Sequence, residues 1–262
     1  MDPNLDVVCP QCHFHDFIPV PFPRRQAFHE HSVIFFRDQP MTPEQHLTFA
    51  RLWGPLHVHP AAPYSHSTPE LMTIHTDGHS HRNNGEKWHS DVSADVEPPM
   101  GSILHIHKTP SVGGDTCFAS MYAAYDALSE PLKNLLDPLT ALHAASYEGW
   151  YECEAQRQPP RAVHPVVRVH PVTGRKALFV NSVFTKSIDG LSSSESEALL
   201  RFLFEHVANP NFQVRFRWRE DSVAMWDNRC TQHMAVWDYW PEERRGIRVT
   251  VCGDQPQGPV NS

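Results

Sequence analysis

The sequence predicts a mainly β fold with flanking helices: a double-stranded β-helix, or jelly roll, built from two facing sheets. Two observations lead there. Short runs with strand periodicity recur from residue 32 to residue 251, separated by turn residues, while few segments carry a helical period. The residues with evident chemistry are dispersed over the same stretch, so one unit has to gather them. A chain of 262 residues with 40% apolar side chains can bury one large core. The expected division is an irregular segment at 1–30, a single jelly-roll domain at 31–256 and a short tail at 257–262.

The first thirty residues are rich in Pro and His and show little periodicity, so no element is expected there. Ser32-Val33-Ile34-Phe35-Phe36 reads as a buried strand. Thr42-Pro43-Glu44-Gln45 starts a helix that runs to about Leu52: Thr42 caps, Pro43 suits the first turn and Gln45 closes a capping box. Residues 61–87 are rich in turn signals around a short strand at Leu71-Met72-Thr73-Ile74. Gly101 to His107 is a strand on which His105 and His107 read as a polar sheet face. Met121 to Asp137 is helical, with Pro131 as a break. Val166–Val169 and Ala177–Val180 pair across Thr173-Gly174-Arg175. Ser192 to Ala208 is an amphipathic helix stopped by Asn209-Pro210. Phe212 to Trp218 alternates and is a half-buried strand, and Ser222 to Trp226 is the next.

Composition excludes several classes. Lys+Arg number 22 against 30 Asp+Glu, a formal net charge of −8, with no basic stretch to track a nucleic acid. No apolar run is long enough to cross a bilayer. Met1 to Asp6 has neither a basic region nor an apolar core, so a cytoplasmic location is expected. Cys9-Pro10-Gln11-Cys12-His13 formally matches a c-type haem attachment pattern, but that chemistry requires export. A zinc site there would need better-spaced partners than His13 and His15, so reduced thiols are expected.

The most informative pattern is Trp88-His89-Ser90-Asp91-Val92, answered far downstream by His233. Two imidazoles and one carboxylate can occupy one face of an octahedral iron(II) and leave the opposite face open. If His89 and Asp91 lie on a strand, their two-residue step points both to one side. Trp88 and Ser90 then face away, and a sheet must deliver His233. The chain has 19 His, so an isolated H-x-D pair also arises by chance as a hydrogen-bonded His beside a solvated Asp.

A second pattern narrows the choice. Pro241 to Val251, read as a strand, puts Arg244, Gly246, Arg248 and Thr250 on one face and Arg245, Ile247, Val249 and Val251 on the other. A guanidinium is a rigid fork of donors that matches a carboxylate or sulfonate. Two such forks beside a metal point to two bound anions. By itself the strand is equally a solvated charged edge.

Taken together, these motifs resemble the taurine dioxygenase family of iron(II)/2-oxoglutarate oxygenases, which includes 2,4-dichlorophenoxyacetate and alkyl-sulfate dioxygenases. The resemblance runs from about Val33 to Pro256. It rests on Leu56-His57-Val58-His59-Pro60, Trp88-His89-Ser90-Asp91-Val92, Gly113-Gly114-Asp115-Thr116 and His164-Pro165-Val166-Val167. Further on it rests on Leu178-Phe179-Val180-Asn181, Trp226-Asp227-Asn228 through His233, and Arg244 with Arg248. It implies a jelly-roll enzyme whose Fe(2+) is held by His89, Asp91 and His233, with 2-oxoglutarate as co-substrate and O2 as oxidant. It assigns the co-substrate's distal carboxylate to Arg244 and Thr116. It assigns the anionic group of a small substrate to His59 and Arg248, helped by the backbone N–H of Val92, with Phe184 as an aromatic wall. Arg245, on the other strand face, is expected to take no part.

The same resemblance implies hydroxylation of an unactivated C–H with release of succinate and CO2. The family's tyrosine for the taurine amine aligns with Ala62, its asparagine near Gly85 and a further aromatic near Ala145, and the segment from Tyr147 to Ala162 is short. A sulfonate, sulfate ester or carboxylate without an amine is therefore expected over taurine. Nucleic acid and membrane are not expected as partners, and the sequence leaves room for a homo-oligomer. Two alternatives stay open: a non-catalytic metal- or anion-binding jelly roll, and a zinc hydrolase using the same three ligands.

Overall fold

The computed structural model describes residues 22–59, 68–81, 85–145 and 159–260. In chain order come α1 (Phe22–His31), β1 (Val33–Phe36), α2 (Pro43–Arg51), β2 (Leu56–His57), β3 (Leu71–Thr76) and β4 (Gly101–Lys108). They are followed by β5 (Thr116–Ser120), α3 (Met121–Asp126), α4 (Glu130–Leu136), β6 (Thr140–Ala144), β7 (Arg161–Pro165), β8 (Val167–Val169) and β9 (Lys176–Leu178). The C-terminal part contains β10 (Thr185–Ile188), α5 (Ser193–Val207), β11 (Gln213–Phe216), β12 (Ser222–Asp227), β13 (Thr231–Ala235) and β14 (Arg244–Val251).

The fold is a jelly roll. Its larger sheet has the order β1-β12-β4-β14-β2, with β3 also paired to β14, and the facing sheet is β11-β5-β13. Two smaller sheets, β10-β6-β7 and β8-β9, complete the described strands. The continuous apolar run of β1 is explained by burial on both sides. Val33 and Phe35 join Leu104, Ile106, Phe118 and Trp226 between the two sheets. Ile34 and Phe36 face outward and are covered, with Phe28 of α1 and Phe49 of α2, on the back of the larger sheet. Phe35 stacks on Phe216 at 4.0 Å and so ties the two sheets together.

Local signals set most boundaries. The capping box at Thr42 forms: its N–H donates to Gln45 Oε1 at 2.8 Å and its hydroxyl accepts from the Gln45 N–H at 3.3 Å. Ser192 and Glu195 close a second box at the start of α5. Pro131 divides the expected helix and sits in the first turn of α4.

Residues 22–31 depart from expectation. They form α1, although the sequence shows no period there and predicts an irregular segment over 1–30. The helix lacks an apolar stripe, which is why periodicity does not reveal it. Tertiary packing holds it through Phe28, which is fully buried and whose ring lies 5.0 Å from Trp53. Cys9 and Cys12 lie outside the described residues, as does Ala62.

Candidate active site

The first metal-ligand candidates are assembled by backbone pairing. His233 stands on β13, opposite Phe118 of β5. His89 forms an isolated bridge to it: the His89 N–H donates to the His233 carbonyl at 3.1 Å and the His233 N–H returns to the His89 carbonyl at 2.9 Å. Residues that exchange both bonds project their side chains to the same side, and the two imidazole centroids are 4.1 Å apart. His89 and Asp91 do not share a strand, so the two-residue step along a strand does not apply to them. Only His89 pairs, and Asp91 begins a turn. The carboxylate converges all the same, with Oδ1 3.8 Å from His89 Nε2 and 3.9 Å from His233 Nε2. All three residues are buried.

The surroundings suit a metal. The Nδ1–H of His89 donates to the Lys87 carbonyl at 2.7 Å, which leaves the Nε2 lone pair toward Asp91. Burial depresses the pKa of both imidazoles, so they are neutral donors at pH 7. Burial alone would raise the Asp91 carboxyl, but Arg248, the two imidazoles and Ser102 hold it well below the ordinary carboxylate range. Ser102 Oγ donates to Asp91 Oδ2 at 2.7 Å and in turn accepts from Asn228 Nδ2 at 3.0 Å. Asn228 is fixed by the Trp226 indole N–H, 2.9 Å from its Oδ1. Ligand atoms on one face of an octahedral ion lie about 3 Å apart at metal–ligand distances of about 2.1 Å. The carboxylate therefore has less than about an ångström to close on each imidazole.

Beside the triad lies a cavity of about 160 Å³ bordered by His89, His233, Thr116, Leu104, Arg244 and Arg248. Arg244 is buried, donates from Nε to the Gly114 carbonyl at 3.1 Å and lies 5.5 Å from the Trp218 ring. Among the described residues no carboxylate forms an ion pair with it, so a buried cation borders the cavity. Thr116 Oγ1 accepts from Trp218 Nε1 at 2.9 Å, which frees its own O–H to donate elsewhere. A guanidinium fork and a free hydroxyl on one wall form a carboxylate receptor. Arg245 points away, exposed, 3.7 Å from Glu243. Gly246 separates the two buried arginines because a Cβ there would lie 2.5 Å from the His105 carbonyl oxygen. Only glycine lets β14 approach β4 this closely.

The expected substrate side is only partly gathered. Arg248 borders the cavity, yet its NH1 donates to Asp91 Oδ1 at 2.7 Å and its NH2 to Met72 Sδ at 3.1 Å. His59 is buried beside Arg248 and Asp91, and burial followed by the Arg248 charge pushes it down to about 3. The pair is therefore a neutral imidazole and a guanidinium already bound to a carboxylate, a less cationic corner than the sequence implied. Val92 takes a φ of 47°, a conformation costly for a β-branched residue. Val92 and Phe184 are buried but do not border the cavity. Most of the segment from Tyr147 to Ala162 lies outside the described residues.

Four supporting side chains escaped the sequence reading: Ser102, Asn228, Trp218 and Met72. Asn228 had a signal, standing inside the Trp226-Asp227-Asn228 motif without a role. Ser102 had only its place on the Leu104 face of β4.

Residues 23–252 match the model of the taurine catabolism dioxygenase TauD, TfdA family. The chain belongs to the TauD/TfdA family. A Pseudomonas putida relative, named alpha-ketoglutarate-dependent sulfate ester dioxygenase, is 38% identical over 88% of this chain and 80% of its own length. A Saccharomyces cerevisiae relative, named alpha-ketoglutarate-dependent sulfonate dioxygenase, is 34% identical over 86% of this chain. The chain spans 59% of that protein's length and 63% of a Schizosaccharomyces pombe relative's. Among solved TauD/TfdA structures, a taurine dioxygenase from Burkholderia xenovorans superposes with a TM-score of 0.83 at 36% identity, covering 95% of this chain and 87% of its own.

Proposed function

We propose that this chain is an iron(II)- and 2-oxoglutarate-dependent dioxygenase that hydroxylates a small organic anion and releases succinate and CO2. The observation that carries the proposal is the cavity itself. Two buried imidazoles on one wall, close to Asp91, face a buried guanidinium that forms no ion pair among the described residues and a threonine hydroxyl whose proton is free to donate. His89, Asp91 and His233 would hold the iron, which would supply the site for oxidative decarboxylation of 2-oxoglutarate by dioxygen. Arg244 and Thr116 bind the distal carboxylate and so orient the co-substrate toward the triad. Leu104 and Trp226 border the same space and exclude water. Ser102 and Asn228 keep the Asp91 carboxylate aimed at the two imidazoles.

For the substrate we propose a sulfonate, sulfate ester or aryloxy carboxylate, held by Arg248 and His59 with the Val92 N–H, and walled by Phe184. The names of relatives support this class: sulfate ester and sulfonate dioxygenases, and a Sphingobium herbicidovorans (S)-phenoxypropionate dioxygenase at 33% identity. Arg248 already has a partner in Asp91, so substrate binding must share or exchange that contact. A cytoplasmic enzyme of one domain is the setting we propose; none of the described helices is long and apolar enough to cross a membrane.

The test is succinate formation with iron(II) and 2-oxoglutarate across a panel of organic anions. Substrate-dependent succinate is expected. Its absence over the whole panel, or hydrolysis supported by zinc in place of oxidation, refutes the proposal.

A further inference from the structure

β4 carries chemistry on both faces. Ser102 and Leu104 turn toward the Asp91 site, and the alternate residues His105 and His107 turn to the back of the sheet, beneath α2. The sequence reading treats that pair as a polar sheet face. The structure adds Asp221, from the turn before β12. Its Oδ1 lies 3.2 Å from His105 Nε2, and one ligand atom from each of His105, His107 and Asp221 lies within 4.8 Å of the others. The turn is anchored, because the Asp221 N–H donates to the Ile106 carbonyl at 2.9 Å and the Asp221 carbonyl accepts from the Gln39 N–H at 2.8 Å. From α2 a third imidazole, His46, leans over the cluster with its centroid 6.3 Å from His105.

This cluster is poorly satisfied as it stands. His105 Nε2 is hydrogen-bonded to Asp221, but its Nδ1 and the Nε2 of His107 are buried without a partner among the described residues, and His46 makes only a poorly aligned contact with the Ile103 backbone. A neutral imidazole has one donor and one acceptor to place, and native proteins leave few buried polar atoms orphaned. Several poorly satisfied ring nitrogens in one cluster point to a missing ligand. Burial pushes His46 down to about 3 and His105 to about 4, so their lone pairs are available at pH 7. Asp221 is 43% exposed and gives a route from solvent. Arg245, whose charge acts on His107, is exposed and lies 3.7 Å from Glu243.

We propose that His105, His107 and Asp221 form a second metal site, separate from the triad and behind the sheet, which takes a divalent transition ion with His46 as the nearest further donor. Tetrahedral coordination at about 2.0 Å puts ligand atoms about 3.3 Å apart, close to the His105–Asp221 spacing. Two imidazoles and a carboxylate suit Zn2+ or Co2+. The site does not rest on the proposed oxygenase activity, since the triad faces the other side of β4.

Zn2+ stoichiometry on metal-free protein tests the proposal. Wild type should bind two equivalents and a His89→Ala/Asp91→Ala variant one. His107→Gln/Asp221→Asn should bind one while still forming succinate, and the combined variant none. Retention of the triad equivalent shows that the back-face variant is folded. Should it not fold, His107→Gln alone is read in the triad-substituted protein by Co2+ absorption. Loss of the intense bands of low-coordinate Co2+ is expected. One equivalent in wild type that disappears with the triad overturns the proposal. So does a second equivalent that survives the back-face substitutions, or a Co2+ spectrum that His107→Gln leaves unchanged.

Discussion

Replacing Arg244 by Ala removes the fork that faces the cavity. In the free protein the guanidinium is buried with no carboxylate partner among the described residues, and it is held by a hydrogen bond to the Gly114 carbonyl and by the Trp218 ring. Removing it forfeits those contacts and opens a void, but also relieves the desolvation of a charge. These effects offset to within about 1–2 kcal/mol of stability. With 2-oxoglutarate bound the balance changes, because the distal carboxylate would lose its bidentate partner inside a closed site. Truncating one partner of a buried charged pair costs about 2–5 kcal/mol. At about 1.4 kcal/mol per decade this raises the 2-oxoglutarate requirement roughly 30-fold to several thousand-fold. Succinate formation is measured against 2-oxoglutarate at saturating iron and substrate, with thermal unfolding in parallel. Arg244→Lys should recover only part of the loss, since an ammonium keeps the charge without the fork. Arg245→Ala, on the exposed face, should change nothing. An unchanged requirement in Arg244→Ala, or a larger effect from Arg245→Ala, would refute the assignment.

Ser102→Ala strips Asp91 Oδ2 of its donor and should weaken iron binding about 10- to 100-fold; an unchanged iron titration removes Ser102 from the site. Sulfonates, sulfates and carboxylates without an amino group should yield more succinate than their amino counterparts, and a clear preference for taurine would overturn the pocket reading. Gly246→Ala forces a Cβ against the His105 carbonyl and should lower stability by about 1–3 kcal/mol, measurable as a fall in Tm. His143 is buried, and burial followed by the nearby His164 pushes it down to about 3. Its unfolded value lies near 6.5, so the unfolded chain binds the extra proton as pH falls. The stability it contributes is complete above about pH 6.5 and is lost as pH falls toward 3. The slope is up to about 1.4 kcal/mol per pH unit. His143→Gln should flatten the pH dependence of urea unfolding between pH 6 and 4; an equally steep profile would refute this.

Much of the site was legible because its signals are local. Period two places Arg244 and Arg248 together and Arg245 apart, and both buried arginines do border one cavity. The capping box at Thr42 marks its helix because cap and third residue meet within one turn, and Asn209-Pro210 marks the end of the helix that starts at Ser192. The jelly roll follows from many short strands that cannot bury their faces alone. The motifs around His89, Asp91 and His233 point to the family because several of them recur in order along the chain, and residues 23–252 match that family's model.

What only the tertiary structure decided are the contacts that depend on register between distant strands. His89 meets His233 through a backbone bridge rather than a shared strand with Asp91. Arg248 pairs with Asp91, which no spacing rule reveals, since β14 has first to lie beside β4. Helix α1 exists because Phe28 finds Trp53, not because its own residues favour a face. His105 and His107 read as a polar strand face until the turn at Asp221 and the helix bearing His46 close over them. Local periodicity fixes the side to which a residue points, while the partner it meets there depends on chain crossings whose energies are spread over the whole core.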